Sequence, residues 1–429
     1  MFSDIKISKL AENLFFIGIF FLPSAMAIGS ILILISSTIS LLINKEKLFR
    51  DKWSLILILI AFLMLISCMV QTLRYLNKDL YGWNISLTWL GLLNWIPFFY
   101  LFITTKNFLQ TTSQRLKVSI LLFSGSIPVL ITGLGQYFLN WEGPLIFGNG
   151  LIIWYIKEIS PWGGLSGLFS NQNYAGTWLS VIWPFSLSFI VLNRSNQYKK
   201  LFSILLLSIT TLTIILTTSR NALSGVLISI PIILGFKSLF IISSIFIFFM
   251  FLFFLGKYIP LASSLLDFIL SFFPIQFIDK FNKVSLSNIL EFRRVNLWND
   301  SINLIASRPI FGLGAAFFPI LYSIYYSPIN YVEQHTHNLF LELSAGYGFV
   351  VSVTFLIFLL TLFFYGWKFL KKGNKSKDAY VIDKSWFAAS VIIVLSQMND
   401  VTYYDGRISI IFWVLMSGLR NIILFNIKN

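Results

Sequence analysis

Long apolar runs follow one another along nearly the whole of this 429-residue chain. Most approach the length of about 20 residues that a helix needs to cross a bilayer, and they are continuous, not alternating. In lipid, only helices and closed barrels satisfy the hydrogen bonds of the backbone. The sequence therefore predicts one all-α, polytopic integral membrane domain over residues 1–429, with about twelve transmembrane helices. The runs lie at 11–25, 27–43, 53–70, 85–105, 117–139, 174–192, 201–217, 221–236, 239–256, 337–366, 385–397 and 408–425.

The charge content is too low for a soluble fold. Only 11 % of the residues are charged and the mean hydropathy is +0.80, whereas soluble domains carry roughly 25 % charged residues. The net charge of +15 does not indicate a nucleic-acid partner, because the basic residues lie in short segments between apolar runs. With the N-terminus in the cytoplasm, 21 of the 32 lysines and arginines fall in cytoplasmic segments and 11 in outer ones. This bias predicts that both termini are cytoplasmic.

One outer segment, 257–336, is much longer than the other connections. Its first part, 259–277, is apolar and contains two prolines, which favours a position in the membrane interface. The second part begins with Asn288 and Glu291 in capping-box spacing. An amphipathic pattern follows and stops before Pro309. The segment is therefore predicted to be a periplasmic loop between the ninth and tenth membrane helices, with amphipathic helices that cover an outer cavity.

Three arginines at the outer face are candidate anion ligands. Arg220 lies in a short turn between the seventh and eighth apolar runs, where an arginine is costly unless it has a partner. It could instead be an arginine that snorkels from a helix end. Arg293 and Arg294 begin the amphipathic pattern, and Trp298 follows Arg294 by one turn. This spacing predicts that Arg294 faces inward while Arg293 stays solvated, although both could belong to a solvated face.

His335 and His337 are the only histidines in the chain, and they immediately precede an apolar run. They could form half of a metal site assisted by Glu333 or Glu342, but no third histidine exists, and no metal is expected. A histidine has a pKa of about 6.5, so it could instead be a general base, or it could be structural. No phosphate-binding Gly-x-x-x-x-Gly-Lys-Ser/Thr motif is present, so neither ATP nor any other cofactor is predicted.

Four short stretches occur in order between residues 160 and 350. They are Gly167–Ala175, Thr218–Arg220 followed by Ala222, Arg294–Trp298 with Pro309–Gly314, and His337–Asn338 with Leu341 and Gly348. In this order, and between these apolar runs, they resemble the bacterial O-antigen ligase and polymerase superfamily. The sequence departs from the family pattern at Gly346, where many members carry glutamate.

The resemblance implies a multi-pass glycosyltransferase of the bacterial inner membrane. Such an enzyme moves a glycan from an undecaprenyl-diphosphate carrier to an acceptor hydroxyl at the periplasmic face, with inversion and without a metal. The partners implied are a lipid-linked glycan donor, a glycolipid, glycan or protein acceptor, and membrane lipid. Arg220 and Arg294 would hold the diphosphate, and His337 would be the general base. The other candidate substrate-binding residues are Arg293, Asn171, Asn173, Trp298, His335 and Asn338.

Three functions remain open at this point. A ligase is favoured over a polymerase because one pair of arginines suffices for one diphosphate, and a polymerase must bind two lipid-linked glycans. An O-antigen or exopolysaccharide polymerase of the same superfamily is the first alternative. A flippase that transports lipid-linked glycans is the second, since it would also be polytopic and lined with arginines.

Overall fold

The computed structural model describes residues 2–48, 51–76, 80–161, 163–256, 258–271, 274–276, 278, 293–326, 333–372 and 376–428. Nearly all regular structure in these residues is helical, which confirms the predicted all-α membrane fold. The helices are α1 Phe2–Phe21, α2 Met26–Leu48, α3 Lys52–Tyr75, α4 Ser86–Leu90, α5 Ile96–Thr104, α6 Thr112–Gly125, α7 Ile127–Leu139, α8 Gln172–Leu192, α9 Gln197–Leu216, α10 Arg220–Leu234, α11 Ser238–Gly256, α12 Pro260–Leu270, α13 Arg293–Ala306, α14 Phe318–Tyr325, α15 Leu339–Tyr347, α16 Phe349–Lys372, α17 Lys377–Ser396 and α18 Gly406–Lys428.

Ten helical segments of the described residues are long and apolar enough to cross a membrane. Two of the twelve apolar runs form helices that fall outside this set. Helix α1 carries charged residues along its first half. Helix α10 has only 15 residues, which gives a length of about 22 Å at 1.5 Å per residue. The fourth and fifth runs each form two helices in succession, because a proline begins α5 and another begins α7.

The tenth apolar run, 337–366, does not form one helix as predicted. It divides into α15 and α16 at Gly348, which has a φ of +96°. A β-carbon at Gly348 would collide with the backbone carbonyl of Ile310. The chain therefore bends here because a neighbouring segment approaches the backbone too closely for any other residue. Hydropathy does not register this break, since both sides of it are apolar.

Helices α12, α13 and α14 are the described helices of the long outer segment 257–336. The predicted capping box at Asn288 and Glu291 lies outside the described residues. Helix α13 ends at Ala306, before Pro309 as expected, and packs against α15. Leu297, on the buried face of α13, is 1 % exposed. A small antiparallel hairpin, which the sequence did not predict, pairs β1 Leu145–Phe147 with β2 Ile152–Trp154.

Helices α8, α17 and α18 form the centre of the helical bundle. The apolar window of α18 is 89 % buried, whereas that of α11 is only 6 % buried and faces outward. At one end of the bundle, a buried ion pair of 2.7 Å joins Arg115 on α6 to Asp383 on α17. At the opposite end, the first residues of α8 and α10 meet the loop between α17 and α18. The candidate site lies at this second end, which is called the site end below.

Candidate functional site

A cavity of about 210 Å³ lies at the site end, between four segments that are far apart in sequence. It is formed by the first turns of α8 and α10, by α13, and by the loop that joins α17 to α18. This cavity, called the arginine pocket below, is lined by Gln172, Asn173, Thr218, Ser219, Arg220, Asn221, Arg294 and Asp400. The fold thus brings together Arg220, Arg294 and Asn173, three of the residues singled out in the sequence.

The turn before α10 holds Arg220 at the pocket. Thr218 adopts a left-handed backbone with φ of +53°. This conformation is rare for residues other than glycine, and the residues that adopt it cluster at functional sites. The Ser219 hydroxyl caps the helix by accepting a hydrogen bond from the amide of Ala222. Asn221 donates from Nδ2 to the carbonyl of Ser396 at 2.9 Å, which ties the turn to α17. Arg220 itself is exposed and occupies the first helical position, where the helix dipole adds positive potential.

Arg294 is half-buried on the other side of the pocket. Burial lowers the pKa of its guanidinium, and the nearby charge of Arg220 lowers this pKa further. The carboxylates of Asp400 and Glu333 raise it, but the overall shift is downward. Within the described part of the chain, neither Arg220 nor Arg294 forms an ion pair with a carboxylate. Two arginines that face one cavity, neither of them in an ion pair with a described carboxylate, form a favourable site for an anion.

Arg293 and Trp298 lie before and after Arg294 on α13. Arg293 begins the helix, but its side chain lies outside the described residues. Trp298 is half-buried, and its Nε1 is a buried donor with no partner among the described residues. Since buried donors are normally satisfied, the indole remains a candidate ligand-binding group.

Asp400 completes the pocket, and the sequence reasoning did not identify it. Its Oδ2 accepts a hydrogen bond from Asn173 Nδ2 at 2.8 Å, and its Oδ1 lies 2.8 Å from His337 Nδ1. Burial raises the pKa of Asp400, but the hydrogen bond and charge of His337, with the charge of Arg294, outweigh it and lower the pKa overall. One sequence feature could have identified Asp400: it is an acidic residue just after the apolar run 385–397, at the same membrane face as Arg220.

His337 lies between two carboxylates. Its Nδ1 faces Asp400 as described, and its Nε2 lies 3.4 Å from Glu333 Oε2. The residue has a left-handed backbone with φ of +54°, and its amide donates to His335 Nδ1 at 3.3 Å. His337 is therefore oriented by Asp400 on one side, while its other nitrogen points toward Glu333.

His335 lies beside His337, with the two ring centroids 4.3 Å apart. Burial lowers the pKa of His335 to about 4; the neighbouring His337 and Arg294 add to this effect, and Asp400 opposes it. His335 is therefore neutral at physiological pH, and its Nδ1 accepts a hydrogen bond that helps to fix the loop.

Residues 204–356 match the family model for O-antigen ligase. This match confirms the resemblance to the O-antigen ligase superfamily. The matched segment contains Arg220, Arg294, His335 and His337, whereas Asn173 and Asp400 lie on either side of it. No curated protein matches the chain. The match supports a glycan ligase or polymerase in a multi-pass membrane protein.

Two asparagines singled out for their likeness to O-antigen ligases are helix caps. Asn171 Oδ1 accepts hydrogen bonds from the amides of Asn173 and Tyr174 at the start of α8. Asn338 Oδ1 accepts from the amides of Phe340 and Leu341 at the start of α15, and its Nδ2 donates to the carbonyl of Met398. Both side chains shape the elements that carry the pocket residues, so their visible contribution is to position the site.

His335, His337 and Asp400 each offer one possible metal-ligating atom, and these atoms lie within 4.8 Å of one another. The group therefore meets the distance requirement for a metal site. However, Asp400 already accepts hydrogen bonds from His337 and Asn173. The positive charge of Arg294 also acts on both Asp400 and His335, and it opposes a cation there. The surrounding charges of this site favour an anion.

Proposed function

We propose that the protein is an O-antigen ligase-like glycosyltransferase of the bacterial inner membrane. It moves a glycan from undecaprenyl diphosphate to an acceptor hydroxyl at the periplasmic face, with inversion and without a metal. The observation that carries this proposal is that Arg220 and Arg294 line one pocket together with Asp400, which is hydrogen-bonded to His337. An anion site thus lies next to a candidate base, and Asp400 links the two.

The two arginines bind the diphosphate and stabilise it as a leaving group. Negative charge grows on the diphosphate as its bond to the sugar breaks, and preorganised positive groups stabilise that charge in the transition state. A guanidinium binds phosphate oxygens in pairs, and the first turn of α10 adds the favourable end of a helix dipole. Arg220 and Arg294 are suited to this role because neither is neutralised by a carboxylate of the described residues.

His337 accepts the proton of the acceptor hydroxyl. Asp400 binds Nδ1 and fixes the ring, so the acceptor hydroxyl must reach Nε2 on the side where Glu333 lies 3.4 Å away. The hydroxyl oxygen forms a bond with the anomeric carbon while the bond to the diphosphate breaks. The proton passes to Nε2, and the bonding electron pair leaves with the diphosphate. Because the attack comes from the side opposite the leaving group, this single displacement inverts the anomeric configuration.

A ligase is favoured over the polymerase alternative. A polymerase would need cations for a second diphosphate. Arg407, another outer cation, is held at 2.6 Å by Asp405 and stacks 3.8 Å above the ring of Phe169, so its charge is already neutralised.

The deciding assay supplies purified enzyme with the lipid-linked repeat unit alone. Chain growth in that assay would identify a polymerase. Transfer that requires a distinct glycolipid or protein acceptor would identify a ligase.

The arginine pair is tested with Arg220→Gln and Arg294→Gln in a reconstituted transfer assay. Each variant should lose about 10²–10³-fold in rate, the usual effect of removing one transition-state donor. Arg220→Lys and Arg294→Lys should retain only part of the activity, because the ammonium of lysine is a point charge, whereas a guanidinium binds two phosphate oxygens at once. Arg308→Gln, at an exposed arginine outside the pocket, is the matched control and should keep its activity.

The same assay tests the base and the metal. His337→Ala should lose about 10²–10⁴-fold in rate, and a chelator should have no effect. Normal transfer by His337→Ala would remove the proposed base from the mechanism. Loss of activity with chelator would favour the metal site instead. Movement of lipid-linked glycan across liposomes without any transfer would support the flippase alternative.

A further inference from the structure

A second cavity, of about 350 Å³, lies at the same end of the molecule. Its size falls in the range of sites that bind small organic ligands. It is separate from the arginine pocket, and the two share no lining residue. The second cavity is lined by Leu87, Leu90, Gly91, Asn94, Trp95, Gly314, Ala315, Ala316, Phe318, Pro319, Gln334, Glu342, Ala345, Gly346, Tyr347 and Tyr404.

The two cavities differ in charge. The arginine pocket contains two guanidinium groups, whereas the second cavity has no lysine or arginine among its lining residues. Its accessible polar groups are the exposed amides of Asn94 and Gln334, the carboxylate of Glu342, and Tyr404, which is 41 % exposed. Amides, a carboxylate and an aromatic ring are the groups that bind the hydroxyls and apolar face of a neutral sugar. A phosphate would find no counter-charge there.

Two polar groups of the cavity retain capacity for hydrogen bonds. The hydroxyl of Tyr347 is buried and has no partner among the described residues. The Tyr347 hydroxyl lies close to Gly91: a β-carbon added at Gly91 would be 2.8 Å from the hydroxyl oxygen. The carboxylate of Glu342 accepts one hydrogen bond on each oxygen, from the amide of Thr336 and the hydroxyl of Tyr404, both at 3.0 Å. A carboxylate has further lone pairs, so a polyol could satisfy both groups.

One short segment separates the two cavities. Glu333 contacts His337, the proposed base, whereas the next residue, Gln334, lines the second cavity. Two residues later, Thr336 binds Glu342 through its amide. The loop that carries His337 is therefore also a wall of the second cavity. A ligand in that cavity would place its hydroxyls against the loop that carries His337.

We propose that the second cavity binds the sugar of the acceptor, a neutral polyol whose reacting hydroxyl is directed toward His337. This inference rests on the proposed glycosyl transfer. The donor diphosphate occupies the arginine pocket, and the acceptor sugar occupies the second cavity, which has no lysine or arginine among its lining residues. The two substrates thus approach His337 from opposite sides of one loop.

Gly346 offers a direct test, because it lines the cavity within helix α15. Among the described residues outside its own helix, the nearest atom to a β-carbon at this position is the Cα of Ala315, at 4.0 Å. The first carbon of a larger side chain therefore fits here, and Gly346→Leu should fill part of the cavity, whereas Gly346→Ala is the matched control with little added volume. Asn94→Ala removes a polar group from an exposed position and provides a variant with little risk of misfolding.

The protein is reconstituted in nanodiscs and measured with two probes. Saturation-transfer NMR measures binding of a panel of methyl glucoside, methyl galactoside, rhamnose and N-acetylglucosamine. A second assay measures binding of polyprenyl diphosphate that carries no glycan. Gly346→Leu should abolish the sugar signal, and Asn94→Ala should raise the sugar dissociation constant about tenfold, whereas both should bind the diphosphate like the wild type. Gly346→Ala should retain the sugar signal.

Arg220→Gln should show the reverse pattern, with diphosphate binding lost and sugar binding kept. The acceptor site is overturned if no sugar of the panel binds the wild type, or if Gly346→Leu binds sugars normally. The proposed function fails separately, if the wild-type protein does not bind polyprenyl diphosphate.

Discussion

At the scale of single residues, the two histidines of one loop have different environments. His337 is flanked by Asp400 at Nδ1 and by Glu333 at Nε2. His335 is more deeply placed, and burial together with its cationic neighbours lowers its pKa to about 4. The proposed chemistry depends on this difference, because His335 then remains a neutral hydrogen-bond acceptor that holds the loop while His337 exchanges protons.

The different environments can be measured because the chain has only two histidines. Protein with ¹³C-labelled histidine should give two ring resonances, and His335→Gln assigns them. The His335 resonance should titrate near pH 4, well below the ordinary histidine value of 6.5. A midpoint near 6.5 for this resonance would contradict the buried environment.

The lowered pKa of His335 also fixes the sign of a stability change. The unfolded chain takes up a proton on this ring near pH 6.5, whereas the folded chain resists protonation until about pH 4. Stability should therefore fall as the pH drops through this window. The melting temperature of His335→Gln should fall less over the same range. An equal fall in both proteins would assign the effect to other groups.

The sequence was sufficient to single out Arg220 and His337, because each is a rare polar residue at the edge of an apolar run, and Arg294, because it begins an amphipathic pattern. It was not sufficient for Asp400. The importance of this carboxylate depends on contacts through space with Asn173 and His337, and no local spacing indicates them. Likewise, Asn171 and Asn338 could not be recognised as caps until the starts of α8 and α15 were known.

At the scale of elements, the break between α15 and α16 positions the site. Helix α15 begins at Leu339, just after its N-cap Asn338, and ends at Tyr347, before Gly348 with its φ of +96°. If the apolar run continued as one helix, the His335–His337 loop could not remain against the loop that carries Asp400. The sequence predicted the apolar character of this run but not the break, which results from close packing against Ile310.

Gly348→Ala tests the need for this break. The substitution places a β-carbon in a left-handed conformation, which alone costs about 1–3 kcal/mol, and adds a collision with the Ile310 carbonyl. The melting temperature of the detergent-solubilised protein should therefore fall clearly. Gly346→Ala, two residues away in an unobstructed helical position, is the control and should melt close to the wild type. Equal melting of the two variants would show that the break is not required.

At the scale of the whole molecule, the two ends of the helical bundle differ in whether their basic residues form ion pairs. At the end opposite the site, Asp383 neutralises Arg115, and Asp51 lies 3.1 Å from Lys106 and 3.5 Å from Arg420. These pairs join the helix ends. At the site end, Arg220 and Arg294 face a cavity. The lysine and arginine bias of the sequence predicts that the paired end is cytoplasmic and the site end periplasmic.

The orientation can be tested by labelling, because the single natural cysteine, Cys68, is buried and leaves an unreactive background. Asn303→Cys places a thiol at an exposed position of α13, at the site end. Tyr198→Cys replaces a residue that is 87 % exposed, at the first turn of α9. In intact cells, a membrane-impermeant maleimide should label the Asn303→Cys protein at once and the Tyr198→Cys protein only after lysis. The reverse pattern would place the arginine pocket in the cytoplasm, where a carrier lipid already flipped outward could not reach it, and would thereby exclude glycan transfer at the periplasmic face.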